Sequence, residues 1–165
     1  MEIIVDTNVF IDSIFHEDEN CTELLRREHK NEIKFVMSHE ISEELTNTVF
    51  QHAKELGCTL DEFQQPFARL SRTFRRAIPS EPKTKTKYCS HWKDEKFIEC
   101  AIDANVKYII SSDNHLLGIK AEIKNKNNGL IEIITPEDFL KIHDKYRLEN
   151  KFNIYNKLFK RKSIK

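Results

Sequence analysis

The chain has 165 residues, 33% of them charged, with 27 Lys or Arg balanced by 27 Asp or Glu. That length suits one compact domain with a short appendage. Zero net charge excludes a globally basic nucleic-acid binder but hides local asymmetry. About nine basic residues stand against about three acids between Phe67 and Lys96, and about eight against one between Lys145 and Lys165. No apolar run approaches the roughly 20 residues of a membrane span. The four cysteines are scattered, and no signal peptide precedes the first strand, so a cytoplasmic protein with reduced thiols is expected. Cys89 and His91 are half of a zinc-ligand spacing with no second pair.

In chain order, Ile3–Val5 is a β-branched run of the kind buried in parallel sheets, and it ends at Asp6. A helix is expected from Asn8 to about Lys30, interrupted by the polar patch Glu17-Asp18-Glu19-Asn20. Ile33–Met37 reads as a second strand. Ser38 then caps a helix with the apolar stripe Ile41, Leu45, Val49 and Phe50. A helix from about Leu60 to Phe74 turns Phe63, Phe67 and Leu70 inward, with Pro66 troubling its middle. Ala77–Trp92 reads as an exposed basic loop. Asp94 to about Ala104 is helical, and Val106–Ser111 is a third strand that leads to Asp113 and a short helix. A polar turn over Lys124–Gly129, a fourth strand over Leu130–Ile134 and a helix started by Thr135-Pro136 complete the pattern. The last 20 or so residues read as a docked amphipathic helix with a frayed basic tail. Alternating strands and helices predict an α/β domain with a mainly parallel sheet.

Four acids stand out. Asp6 and Asp113 follow strands, Asp94 starts a helix, and Glu44 lies within two turns of a helix that follows a strand. Open α/β sheets bind ligands at the carboxyl ends of their strands. Carboxylates gathered there repel one another, and a hard divalent cation relieves the repulsion; oxygen donors suit Mg²⁺ or Mn²⁺. Such an ion suits phosphodiester hydrolysis. With three glycines in the chain, no phosphate-cradling loop competes, and no serine sits in a nucleophile elbow. Each acid also has a plainer reading: Asp94 and Asp113 as helix caps, Glu44 as a solvated helix residue beside Glu43.

Val5-Asp6-Thr7-Asn8-Val9-Phe10 resembles the opening of PIN-domain ribonucleases. Ser38 with Glu44-Leu45, the run Asp94–Ala101, the run Ser111–Leu117, and Ile134–Leu140 resemble that family's later motifs, in order, over about residues 2–141. The resemblance implies a PIN-like three-layer fold, a central mainly parallel sheet flanked by helices, as domain 1–141 with a basic extension 142–165. It implies that Asp6, Glu44, Asp94 and Asp113 bind Mg²⁺ or Mn²⁺, with Asn8 and Ser111 in support. It also implies RNA as substrate, an antitoxin protein as partner and a homodimer. Glu43 is a rival to Glu44, because a one-residue slip turns a helical side chain by about 100°. His115 stands where many relatives carry a further acid. Arg72, Arg75, Arg76, Lys83, Lys85 and Lys87 are the candidate RNA-backbone contacts, or else a solvated face; Tyr88, His91 and Trp92 are candidates to stack on bases, with Trp92 equally readable as a core anchor. A catalytically silent RNA- or protein-binding module is the main alternative. A receiver-like domain is weaker, since Asp6 has no adjacent acid.

Overall fold

The computed structural model describes residues 1–160, with side chains through Asn153. The chain alternates as expected: β1 (Glu2–Val5), α1 (Thr7–Phe15), α2 (Glu19–His29), β2 (Lys34–Met37), α3 (His39–Glu55), α4 (Leu60–Arg76), β3 (Ile78–Pro79), a 3-10 turn (Trp92–Asp94), α5 (Glu95–Ala104), β4 (Tyr108–Ile110), α6 (Asn114–Leu117), β5 (Ile123–Lys124), β6 (Leu130–Ile134) and α7 (Pro136–Lys160). The sheet order is β3-β2-β1-β4-β6-β5. Every pairing is parallel except β5 with β6. From β1 the chain moves outward to β2 on one side and later to β4 on the other. The crevice at the carboxyl ends of β1 and β4 is therefore the topological switch point, the place where open α/β sheets generally take a ligand.

Ile3, Ile4 and Val5 of β1, and Ile109 and Ile110 of β4, are wholly buried, as expected of parallel strands covered on both faces. Local chemistry sets the helix ends. Glu17 takes positive φ between α1 and α2, so the polar patch does break the first helical run. Asp18 caps α2 by accepting the Cys21 N–H at 2.8 Å, and Ser38 caps α3 through Ile41. Thr59 and Glu62 form a reciprocal capping box on α4. That helix runs unbroken through Pro66.

Four expectations need correction. Phe67 is not inward but 47% exposed, and it stacks with Phe63 and with Phe50, which is also exposed. Pairing recruits two-residue strands where a loop and a polar turn were expected. Ile78–Pro79 extends the sheet beside β2, and Ile123–Lys124 folds back on β6. Residues 80–91 are not a free loop but a strap pinned to α5, where Asp103 accepts the Thr84 hydroxyl, Glu99 the Thr86 N–H and Glu95 the Cys89 N–H. Finally, Leu148 and Phe152 of α7 are exposed rather than docked. Arg27 with Asp144, Arg27 with His143, and Arg147 with Glu32 fasten the earlier part of α7 to α2 and the segment after it. The expected frayed tail lies outside the described residues. Among those residues no helix is long and apolar enough to cross a membrane.

Candidate active site

Asp6 leaves β1 and starts α1, and it is only 4% exposed. Its backbone N–H bonds the Ile110 carbonyl at 2.9 Å, continuing the β1–β4 ladder one residue past the strand. Directly across, Ser111 donates its hydroxyl to Asp6 Oδ2 at 2.7 Å, while its Oγ accepts the Asp113 N–H at 2.9 Å. One buried serine thus aims Asp6 and ties the loop that carries Asp113. Asp113 Oδ1 caps α6 by accepting the His115 N–H.

Glu44 arrives from α3. Thr7 donates to its Oε1 at 2.7 Å, and Lys96 Nζ meets its Oε2 at 2.5 Å. Glu43 points to solvent. Lys96 is 4% exposed, and its ammonium also donates to the Lys93 carbonyl. Asp94 ends the 3-10 turn at the head of α5 and is half-buried.

The electrostatics of the acids follow from this crowding. Burial pushes the Asp6 carboxyl up to about 6, with the Ser111 bond opposing and the charges of Asp94 and Glu44 adding to the rise. Burial likewise raises Asp94; Lys96 works against the shift, and Asp113 and Glu44 reinforce it. The mutual influence of these groups puts all four acids in one electrostatic neighbourhood. Lys96 pairs directly with Glu44 alone, and among the described residues no cation pairs with Asp6, Asp94 or Asp113. No three acid, histidine or cysteine side chains among those residues stand ready-spaced around one point. In chemistry the donor set fits a hard divalent cation: it is all oxygen, and its buried members disfavour their own charge.

The expected supporting residues divide. Ser111 is fully buried and bonded at the centre, whereas Asn8 is exposed and makes no side-chain hydrogen bond among the described residues. Thr7 and Lys96 hold Glu44 and were not singled out in the sequence. Their neighbours Asp6 and Asp94 carried the motif signal, and only the fold brings Thr7 and Lys96 to Glu44.

The six candidate RNA contacts also divide. Arg76 is built into the fold: Nε meets Glu28 at 2.7 Å, and Nη2 bonds the Glu28 and His29 carbonyls at the end of α2. Arg72 lines a cleft with Arg26 and Arg69 between α2 and α4, and Arg75 is exposed. Lys85 pairs with Glu99 at 2.8 Å, whereas Lys83 and Lys87 have no ion-pair partner among the described residues. Of the aromatic candidates, Trp92 is 75% exposed and no core anchor, and Tyr88 and His91 are exposed as well.

A sheet-edge carboxylate crevice on a doubly flanked, mostly parallel sheet defines an α/β domain of the PIN type. A family model described as PIN domain matches residues 2–115, and the chain belongs to that family. No curated protein matches it. Among solved structures, PAE2754 from Pyrobaculum aerophilum aligns with a TM-score of 0.57 at 14% identity, covering 88% of this chain and 90% of that one. VapBC2 from Rickettsia felis, solved with a DNA fragment from its promoter, aligns at 0.49 and 14%, covering 81% and 98%.

Proposed function

We propose that the chain is a metal-dependent endoribonuclease in which Asp6, Glu44, Asp94 and Asp113 hold Mg²⁺ or Mn²⁺. The observation that carries this reading is a buried Asp6, raised to about 6 among further acids, with no protein cation of its own among the described residues. Membership of the PIN family, whose members are generally nucleases, supports it. A bound ion supplies an activated water and charge neutralisation at a phosphate oxygen. The chain's own residues do the positioning. Ser111 orients Asp6 and couples it to the Asp113 loop. Thr7 and Lys96 fix the two oxygens of Glu44 and offset one of the four negative charges.

The reading extends to a toxin held by a small antitoxin protein, to a homodimer, and to a cytoplasmic setting in which all four free thiols persist. The toxin and the homodimer rest on the family relationship, and the cytoplasmic setting on the unpaired thiols. RNA cleavage is the test. Wild type is expected to cut in Mn²⁺ or Mg²⁺, stop in EDTA, and lose activity as Asp6→Asn. Cutting by a well-folded Asp6→Asn protein at the wild-type rate would contradict the site. A wild type that neither cuts nor binds Mn²⁺ would favour the silent binding module instead.

A further inference from the structure

The four strand-edge acids differ in their partners. Asp6, Asp94 and Asp113 have no protein cation among the described residues, but Glu44 has one, the Lys96 ammonium at 2.5 Å. Lys96 lies in the first turn of α5, followed by the core residues Phe97 and Ile98. Its side chain reaches back over the head of that helix. There Nζ also donates to the Lys93 carbonyl and stands 4.8 Å from the centre of the Phe97 ring. Two of the three ammonium donors thus meet oxygens, and at 4% exposure the group has almost no solvent to turn into. Glu44 is fixed from its other side, because Thr7 donates to Oε1.

Lysine is almost never this buried without a partner. Taking a charge out of water also costs more than a single ion pair reliably returns. An ammonium kept here at that cost points to a role at the acids. Its field reaches past Glu44: burial raises Asp94, and Lys96 is the charge that most opposes the rise. Toward two of the four acids, then, Lys96 already acts as a bound cation would.

Four carboxylate charges match two divalent ions, and paired ions in such sites stand about 3.5–4 Å apart. With the ammonium on Glu44 Oε2, a metal ion on the same oxygen would meet a fixed like charge at close range. We infer that the Lys96 ammonium is a built-in cation in the place of a second metal ion, so that the site binds one divalent ion, on the side of Asp6, Asp94 and Asp113. The inference rests on the nuclease reading above and sets how many ions that site takes. Lys96 is thereby a positioning residue, acting through Glu44 and through the charge it leaves for one ion to neutralise.

Counting bound Mn²⁺ tests this without any reaction. The full-length chain, free of RNA at pH 7.5, is titrated with Mn²⁺ by calorimetry, and unbound Mn²⁺ is followed by its paramagnetic resonance signal. Wild type is expected to bind one ion per chain. Lys96→Met uncovers Glu44 and is expected to bind two. Lys96→Gln keeps a neutral donor for the Lys93 carbonyl and is also expected to bind two; it carries the test should Lys96→Met not fold. Lys96→Arg retains the charge and is expected to stay at one. So is Glu44→Gln/Lys96→Met, which removes both charges and strands neither. Saturating Mn²⁺ is expected to raise the melting temperature of Lys96→Met more than that of wild type, since the second ion binds the folded chain. A lysine with a structural part alone would leave the count at one in folded Lys96→Met and Lys96→Gln. That result overturns the inference, as does a count of two in wild type. The two readings fail separately. Two ions on wild type keep the cation site and remove the built-in cation, whereas no Mn²⁺ on any folded form removes the site itself and the inference with it.

Discussion

The head of α5 separates two sets of carboxylates that look alike in sequence and differ in their chemistry. Along the strap, Asp103 would be raised by burial. Bonds from the Thr84 hydroxyl, the Lys83 N–H and the Lys126 ammonium outweigh that and hold it well below the usual carboxylate range. At the strand edge, Asp6 has only the Ser111 hydroxyl and the Asn8 backbone N–H against burial and like charge, and it is raised to about 6. Asp94 and Glu95 are adjacent in the chain yet belong to opposite sets. Saturated acids hold a structure together; acids left short of partners are prepared for a ligand.

Breaking the comparison at its most sensitive point is expected to give the largest effect. Asp6→Asn should reduce Mn²⁺-dependent RNA cleavage by more than about 100-fold, the scale of one electrostatic contributor at a reacting centre. The same change should stabilise the metal-free fold. A buried acid whose folded pKa is raised from 3.8 to about 6 contributes its full stability below about pH 4 and loses it as pH rises through 6. At pH 8 in EDTA, Asp6→Asn is therefore expected to gain about 3 kcal/mol by urea denaturation, from two pH units at about 1.4 kcal/mol each. Lys96→Met should act oppositely, costing about 3 kcal/mol because it strands Glu44 beside a buried apolar group. On the saturated side, Asp103→Asn should cost about 2 kcal/mol through weakened charge-assisted bonds to Thr84 and Lys83, with Mn²⁺ affinity unchanged. A Mn²⁺ affinity that moved with Asp103 would merge the two sets. Asn8→Ala should be smallest, within about 0.5 kcal/mol by thermal melting, as for other exposed positions.

How much was legible in the chain follows the same division. Asp6, Asp94 and Asp113 were readable because each sits at an element boundary that local patterning announces, as Ser111 does at the end of β4, whereas Glu44 lies inside α3. Glu44 is distinguished from Glu43 only by its partners. Thr7 lies 37 residues away and Lys96 is on another helix. The strap was visible as two unrelated patterns, alternating Lys-Thr and acids four apart, and nothing local says that one faces the other. Two-residue strands such as Ile78–Pro79 carry no periodicity at all, and exist because β2 offers them an edge. Phe67 has helical spacing suited to a core, but the α4 face it lies on stacks with Phe50 at the surface.

If the unsaturated strand-edge acids are a cation site, Mn²⁺ must bind there without RNA. Calorimetric titration of the full chain with Mn²⁺ at pH 7.5 and at pH 5, beside Asp6→Asn at pH 7.5, tests it most directly. Wild type is expected to bind at pH 7.5 and to weaken markedly at pH 5 as the Asp6 carboxyl takes up a proton, and Asp6→Asn to lose binding. Equal binding by folded Asp6→Asn, or none by folded wild type at pH 7.5, would contradict it.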